Sequence, residues 1–118
     1  MSVIRTQSAD GITTVTFAAA RVVDESTIHA IRTELMQVAD KTRGGKLLLN
    51  FRGIEHMSSV AFGTLVALNK RCKEGLTQLK LCAVAPLIME GFKITKLTRL
   101  FDIYEDEAQA IKAFEKPS

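Results

Sequence analysis

What this sequence lacks narrows its class before any motif is read. Only two prolines occur in 118 residues, and there is no low-complexity tract. Disorder is therefore not expected of a chain that is 47% hydrophobic and 25% charged. No apolar run approaches the roughly 20 residues needed to cross a bilayer. Met1 to Arg5 has neither the apolar centre nor the cleavage site of a signal peptide. The expectation is a cytoplasmic protein with no membrane partner. Cysteine is scarce: Cys72 falls on the apolar face of a predicted helix and Cys82 in an apolar strand. Neither has a second thiol or a histidine at metal spacing, so both read as core side chains, with no disulfide, metal or cofactor implied. Basic residues exceed acidic ones by only three and are scattered, which does not imply a nucleic-acid partner. The one dense cluster, Lys70, Arg71 and Lys73, suits the negative end of its own helix.

Catalytic constellations are equally sparse. There is no glycine-rich phosphate loop, and no histidine stands at a known spacing from a nucleophile. His56 is three residues from Ser59, but no orienting acid is evident, so the sequence favours a binding module over an enzyme.

What is present is organised around Leu47 to Gly75. Leu47-Leu48-Leu49 reads as a strand buried on both faces. From Ala61 onward Phe62, Leu65, Val66, Leu68 and Cys72 recur at helical spacing, and Gly75 occupies the place of a left-handed C-terminal residue. Between strand and helix lie Ser58 and Ser59. A serine here caps the helix by satisfying one of its orphan N–H groups. A phosphate at the same place would sit among converging N–H groups at the positive end of the helix dipole. Its charge would alter a docking surface without unfolding the domain.

The remaining chain reads as one domain, residues 1–118. Val3 to Gln7 and Ile12 to Phe17 flank the turn signal Ser8-Ala9-Asp10-Gly11 and predict a hairpin. After a loop over Ala18 to Val23, Ser26 or Asp24 caps a helix with Ile28, Ile31, Leu35 and Val38 on one face. His29 and Glu34 fall off that face and are assigned no role. Gln78 to Val84 reads as a strand. Pro86 opens a helix with Leu87, Ile88, Phe92 and Leu97 on its apolar side, interrupted by Gly91. Phe101 to Tyr104 is a short strand, followed by a helix begun by Glu105, Asp106 and Glu107 with Ala108, Ile111 and Phe114 inward. Lys116-Pro117-Ser118 is expected to fray. Strands joined by helical crossovers after an opening hairpin argue for an α/β domain with a mixed sheet.

The run Asn50-Phe51-Arg52-Gly53-Ile54-Glu55-His56-Met57-Ser58-Ser59-Val60-Ala61-Phe62-Gly63-Thr64-Leu65 resembles the signature of STAS domains, the family of bacterial anti-sigma factor antagonists. Gly53, Gly63 and Leu65 match it, and Ser59 falls on the family's phosphorylatable serine. Ser58 stands where the family usually has aspartate, Val60 where it has serine or threonine, and Ala61 where it has glycine. Ser58 is therefore an alternative acceptor. The resemblance covers nearly the whole chain and implies a four- to five-stranded mixed sheet with about four helices packed mainly on one face.

It also implies a partner switch. Unphosphorylated, a surface of Arg52, Ile54, Glu55, His56, Met57, Ser58, Ser59, Val60 and Gly63 would dock on an anti-sigma factor of the serine-kinase type, freeing a sigma factor. Phosphorylation would release that partner, and a serine phosphatase would restore binding. Two other readings stay open: a STAS scaffold or transporter-associated module that binds without phosphorylation, and a small ligand-binding or catalytic protein with a polar pocket near His56.

Overall fold

The computed structural model describes residues 3–115, so the expectation for Lys116 to Ser118 lies outside the described residues. Strand β1 (Ile4–Ala9) pairs antiparallel with β2 (Ile12–Phe17). Asp10 and Gly11 join them, both at positive φ, the two-residue turn whose twist matches that of the flanking strands. A two-residue strand β3 (Arg21–Val22) follows, in a stretch the sequence reads as loop. Two residues carry no periodicity, so nothing local reveals it.

Asp24 caps helix α1 (Glu25–Lys41) by accepting from the Thr27 N–H at 3.0 Å, and the Ser26 hydroxyl donates to the same carboxylate oxygen at 2.7 Å. Of the two caps the sequence allows, Asp24 is the one used. The Ser26 hydroxyl first, and then the Thr27 N–H, hold its carboxyl at about 2 instead of the usual 3.8. A folded-state pKa below the unfolded value contributes stability above about pH 3.8, which is lost as pH falls through about 2. Asp24→Asn keeps a capping oxygen but not the charge. Acid titration by circular dichroism is expected to show a weaker pH dependence of stability for the variant across that window.

The chain then runs through β4 (Lys46–Asn50), β5 (His56–Met57), α2 (Ser59–Glu74), β6 (Gln78–Cys82), α3 (Pro86–Ile94), a 3-10 turn at Leu97–Arg99, β7 (Asp102–Tyr104) and α4 (Glu107–Glu115). The five-stranded sheet has the order β1-β2-β4-β6-β7, parallel throughout except for the opening hairpin, while β3 and β5 form a separate parallel pair. Leu47 and Leu49 of β4 join the main core under α1, α2 and α3, whereas Leu48 faces a smaller cluster with Ile12, Cys82, Ala110 and Phe114 beneath α4. The middle strand is thus buried on both faces, as its unbroken leucines predict. Both cysteines are free, and burial pushes each thiol up to about 11, in keeping with core side chains.

Several local expectations are corrected. The left-handed residue after α2 is Leu76 (φ 58), not Gly75, whose φ is −90. The Leu76 N–H reaches the Lys73 carbonyl and the Thr77 N–H the Cys72 carbonyl, which places Leu76 at the position where such a motif favours glycine. Its side chain is 81% exposed. Leu76→Gly is expected to raise stability by about 0.5–1 kcal/mol in urea unfolding, because relief of the left-handed backbone outweighs glycine's greater unfolded-state freedom.

Strand β6 stops at Cys82 because Ala83 turns to φ 58, leaving Val84 outside it. Ala39 replaces Val38 among the fully buried residues of α1. Of the three acids expected to begin α4, Asp106 accepts from the Gln109 N–H at 2.8 Å. Ala110, not Ala108, faces inward on α4, packed with Phe114 in the smaller cluster, and Ala108 is exposed. Val66 and Leu87, both expected in the core, are exposed, and Leu97 belongs to the 3-10 turn.

Candidate functional site

The segment between β4 and α2 is held at many points despite having little regular structure. The Asn50 side-chain oxygen accepts from the Arg52 N–H at 2.9 Å, turning the chain as β4 ends. Gly53 takes φ 91, a backbone that a side chain resists, and the Ile54 N–H closes the turn on the Phe51 carbonyl at 3.0 Å. Phe51 and Ile54 are both buried and pin the loop to the core. Beyond them β3 acts as a rail: the Glu55 and His56 N–H groups converge on the Ala20 carbonyl at 2.7 and 3.2 Å, and the Ser58 N–H meets the Val22 carbonyl at 3.1 Å.

The two serines divide the roles that the sequence leaves shared. Ser58 has the extended backbone of an N-cap, and its Oγ accepts from the Ala61 N–H at 3.3 Å. Ser59 is the first helical residue and is exposed, and among the described residues its hydroxyl makes no hydrogen bond, to His56 or to any other group. Aspartate and serine are near-equal caps. Ser58 therefore performs the capping job for which an aspartate would serve equally, and the free hydroxyl is left at Ser59. The first turn of α2 holds no acid while Arg71 and Lys73 stand in its last turn, so the positive end of the dipole is uncompensated beside Ser59.

Along α2 from that hydroxyl the outward residues are small and apolar, and Val60 and Gly63 share a groove with Glu25, His29 and Arg32 of α1. Val60 is 64% exposed, and Gly63 and Val66 continue the same outward stripe before Lys70 and Lys73 make it basic. A side chain at Gly63 would meet nothing within 4 Å, so no packing within the domain demands glycine there. Ala61, in contrast, faces inward and lines a small apolar cavity with Met57, Ile28 and Leu65.

Of the partner-facing set expected from sequence, Arg52, Glu55, Ser59, Val60 and Gly63 lie on the surface. His56, Met57 and Ser58 are half-buried. Ile54 is corrected: it is 3% exposed and turned into the core, because a loop this short needs an anchor. The structure adds residues that sequence reasoning missed. Arg21 of β3 and Val23 just after it, with Leu87 and Ile94 of α3, line a groove that also holds Glu55 and His56. Leu87 and Ile94 are 64% and 78% exposed. The signal that could have found them is their seven-residue spacing, which puts both on one face of α3, away from Ile88 and Phe92.

The STAS domain family model matches residues 3–110. Among solved structures, an anti-sigma-factor antagonist (STAS) domain protein from Planctomyces limnophilus superposes with a TM-score of 0.85 at 23% identity, over 96% of this chain and 98% of that one. The Bacillus cell fate determinant SpoIIAA in its phosphorylated form gives 0.69 at 14% identity, over 94% of this chain and 98% of that one. A murine anion transporter, Solute Carrier 26 family member A9, gives 0.75 at 12% identity, over 89% of this chain but 18% of the transporter. At these identities each likeness is one of fold.

Proposed function

The chain belongs to the STAS domain family, and from that premise we propose that it is an anti-sigma factor antagonist working by partner switching. In this reading the unphosphorylated protein binds an anti-sigma factor of the serine-kinase type, that kinase supplies ATP and phosphorylates Ser59, and the charge releases it. A serine phosphatase then resets the cycle. The observation that carries the reading is the exposed, uncommitted Ser59 hydroxyl on a helix entrance whose capping is already done by Ser58.

The surroundings support docking there. Exposed Val60 and Val66 offer apolar area on the serine's own helix, and exposed Leu87 and Ile94 line the groove that holds Glu55 and His56. Gly63 costs α2 about 1 kcal/mol in helix propensity with no internal packing to explain it, which suits close approach by a partner. A phosphate added at Ser59 meets the helix dipole locally, so its repulsion falls on the partner and not on the fold. The similarity in fold to SpoIIAA, whose structure is described in its phosphorylated form, is consistent with this chemistry.

The test is incubation with candidate serine-kinase anti-sigma factors and ATP, followed by phosphosite mapping by mass spectrometry. Phosphate is expected on Ser59 and absent from Ser59→Ala. Modification at neither Ser59 nor Ser58 would sink the switch while leaving the family assignment intact.

A further inference from the structure

The face of the sheet away from α2 carries a second feature, apart from the Ser59 helix entrance. Strand register sets Arg5 across from Thr16, and Thr16 across from Asn50, in one row spanning β1, β2 and β4. Thr14 lies one row along on the same face, and Arg52 follows Asn50 by two residues. Helix α4 packs on β4, β6 and β7 and reaches Ile12 at the start of β2, leaving β1 and the Thr14 to Thr16 end of β2 less covered. Arg5, Thr14, Thr16, Asn50 and Arg52 accordingly line one cleft, with Glu107 of α4 at its rim.

The chemistry of this cleft is one-sided. Among the described residues the ion pairs join Arg71 to Asp40, Lys80 to Asp102 and Lys93 to Glu90, so neither arginine of the cleft is paired. Asn50 is 7% exposed and its Oδ1 is already taken by the Arg52 N–H, which leaves its NH2 group as the remaining polar function. With the Thr14 and Thr16 hydroxyls, the walls are built largely of donors, opposed by one carboxylate. Two guanidinium forks bordering the same space repel each other unless an anion lies between them, and each fork matches an oxyanion in two-pronged fashion. Adjacent strands are about 4.8 Å apart, so the backbones of Arg5 and Asn50 stand roughly 10 Å apart with Thr16 between, a span that a tetrahedral anion and flexible arginines fill. No aromatic ring lines the cleft, so nothing there stacks on a base.

We propose that this cleft is a binding site for a phosphate group, free or as a monoester, held by Arg5 and Arg52 with Thr16 and Asn50 beneath. The proposal does not rest on the partner-switch reading, although Arg52 also belongs to the docking set expected from sequence. The cleft also adjoins that set, because the Asn50 to Arg52 hydrogen bond begins the loop that leads to Ser59.

The experiment is a titration of the full chain with inorganic phosphate and, separately, with adenosine monophosphate, followed by amide chemical shifts and calorimetry. Saturable shifts at Thr16, Asn50 and Arg52 are expected, with affinities for the two ligands within about threefold, since only the phosphate is recognised. Arg5→Gln is expected to weaken both roughly tenfold by removing a charge-assisted pair. Arg5→Lys should recover part of the loss by restoring charge without the fork. Glu107→Gln should tighten binding about twofold to threefold by removing the opposing charge. Arg5 is an exposed edge-strand residue, so these variants keep the fold. An absence of saturable shifts with phosphate, binding of the nucleotide alone, or shifts unchanged in Arg5→Gln would each overturn the proposal.

Discussion

Phe92→Ala is expected to lower unfolding stability by about 3–5 kcal/mol, the range for emptying a buried aromatic site. Phe92 is fully buried, and its ring meets those of Phe62, Phe101 and Phe51 at centroid distances of 5.0, 5.8 and 6.3 Å in edge-on arrangements. These three contacts tie α3 to α2, to the loop after β4 and to the start of β7 at one point. Neighbouring Gly91 shows how tightly the point is closed, since a Cβ there would lie 2.5 Å from the Phe62 ring. Collapse into the vacated space is therefore hindered, which puts the expected loss toward the upper end of the range. Against a total of about 5–15 kcal/mol for a domain, that is a large fraction. Urea unfolding would read it as a lower midpoint with an unchanged slope. A loss below about 1 kcal/mol would mean that the aromatic cluster does not organise this side of the core.

Ser59→Asp is expected to separate association from stability. The new carboxylate stands at the first position of α2, where it should contribute about 0.3–1 kcal/mol of favourable interaction with the helix dipole. On the partner-switch proposal, the same charge is expected to weaken binding of an anti-sigma factor by at least about tenfold, because a charge desolvated or set against its like costs several kcal/mol. Thermal melting and calorimetric titration of one preparation give both numbers. Unchanged affinity would mark a constitutive binder and remove the switch. Reduced stability would mean that Ser59, not Ser58, is the group the helix depends on. Ser58→Ala supplies the contrast: loss of the hydrogen bond to the Ala61 N–H is expected to cost about 1 kcal/mol.

These opposed expectations for adjacent serines mark the border between what is local and what is not. Alternation in Ile12 to Phe17, unbroken leucines in β4, helical spacing in α1 and α2, and a serine cap before Ala61 all lie within a few residues of one another. Short-range preferences and burial patterns therefore determine them from sequence alone. The STAS signature belongs to the same class, since it is a contiguous run folding into one strand-to-helix turn. Its departures at Ser58 and Ala61 keep the jobs of a cap and of a small, buried residue.

Other features were decided by tertiary structure, because they depend on partners distant along the chain. Strand β3 exists only through its pairing with β5, and Ile54 faces inward only because the loop must be anchored over the core. Leu87 is outward because Ile88 and Phe92 take the buried side of α3. The left-handed turn falls on Leu76 instead of Gly75 because the end of α2 is timed by where β6 must begin. The row of Arg5, Thr16 and Asn50 joins three strands through a register that no single strand encodes. Sequence periodicity states which face of an element is buried; only packing against the other elements states what the remaining face is set beside.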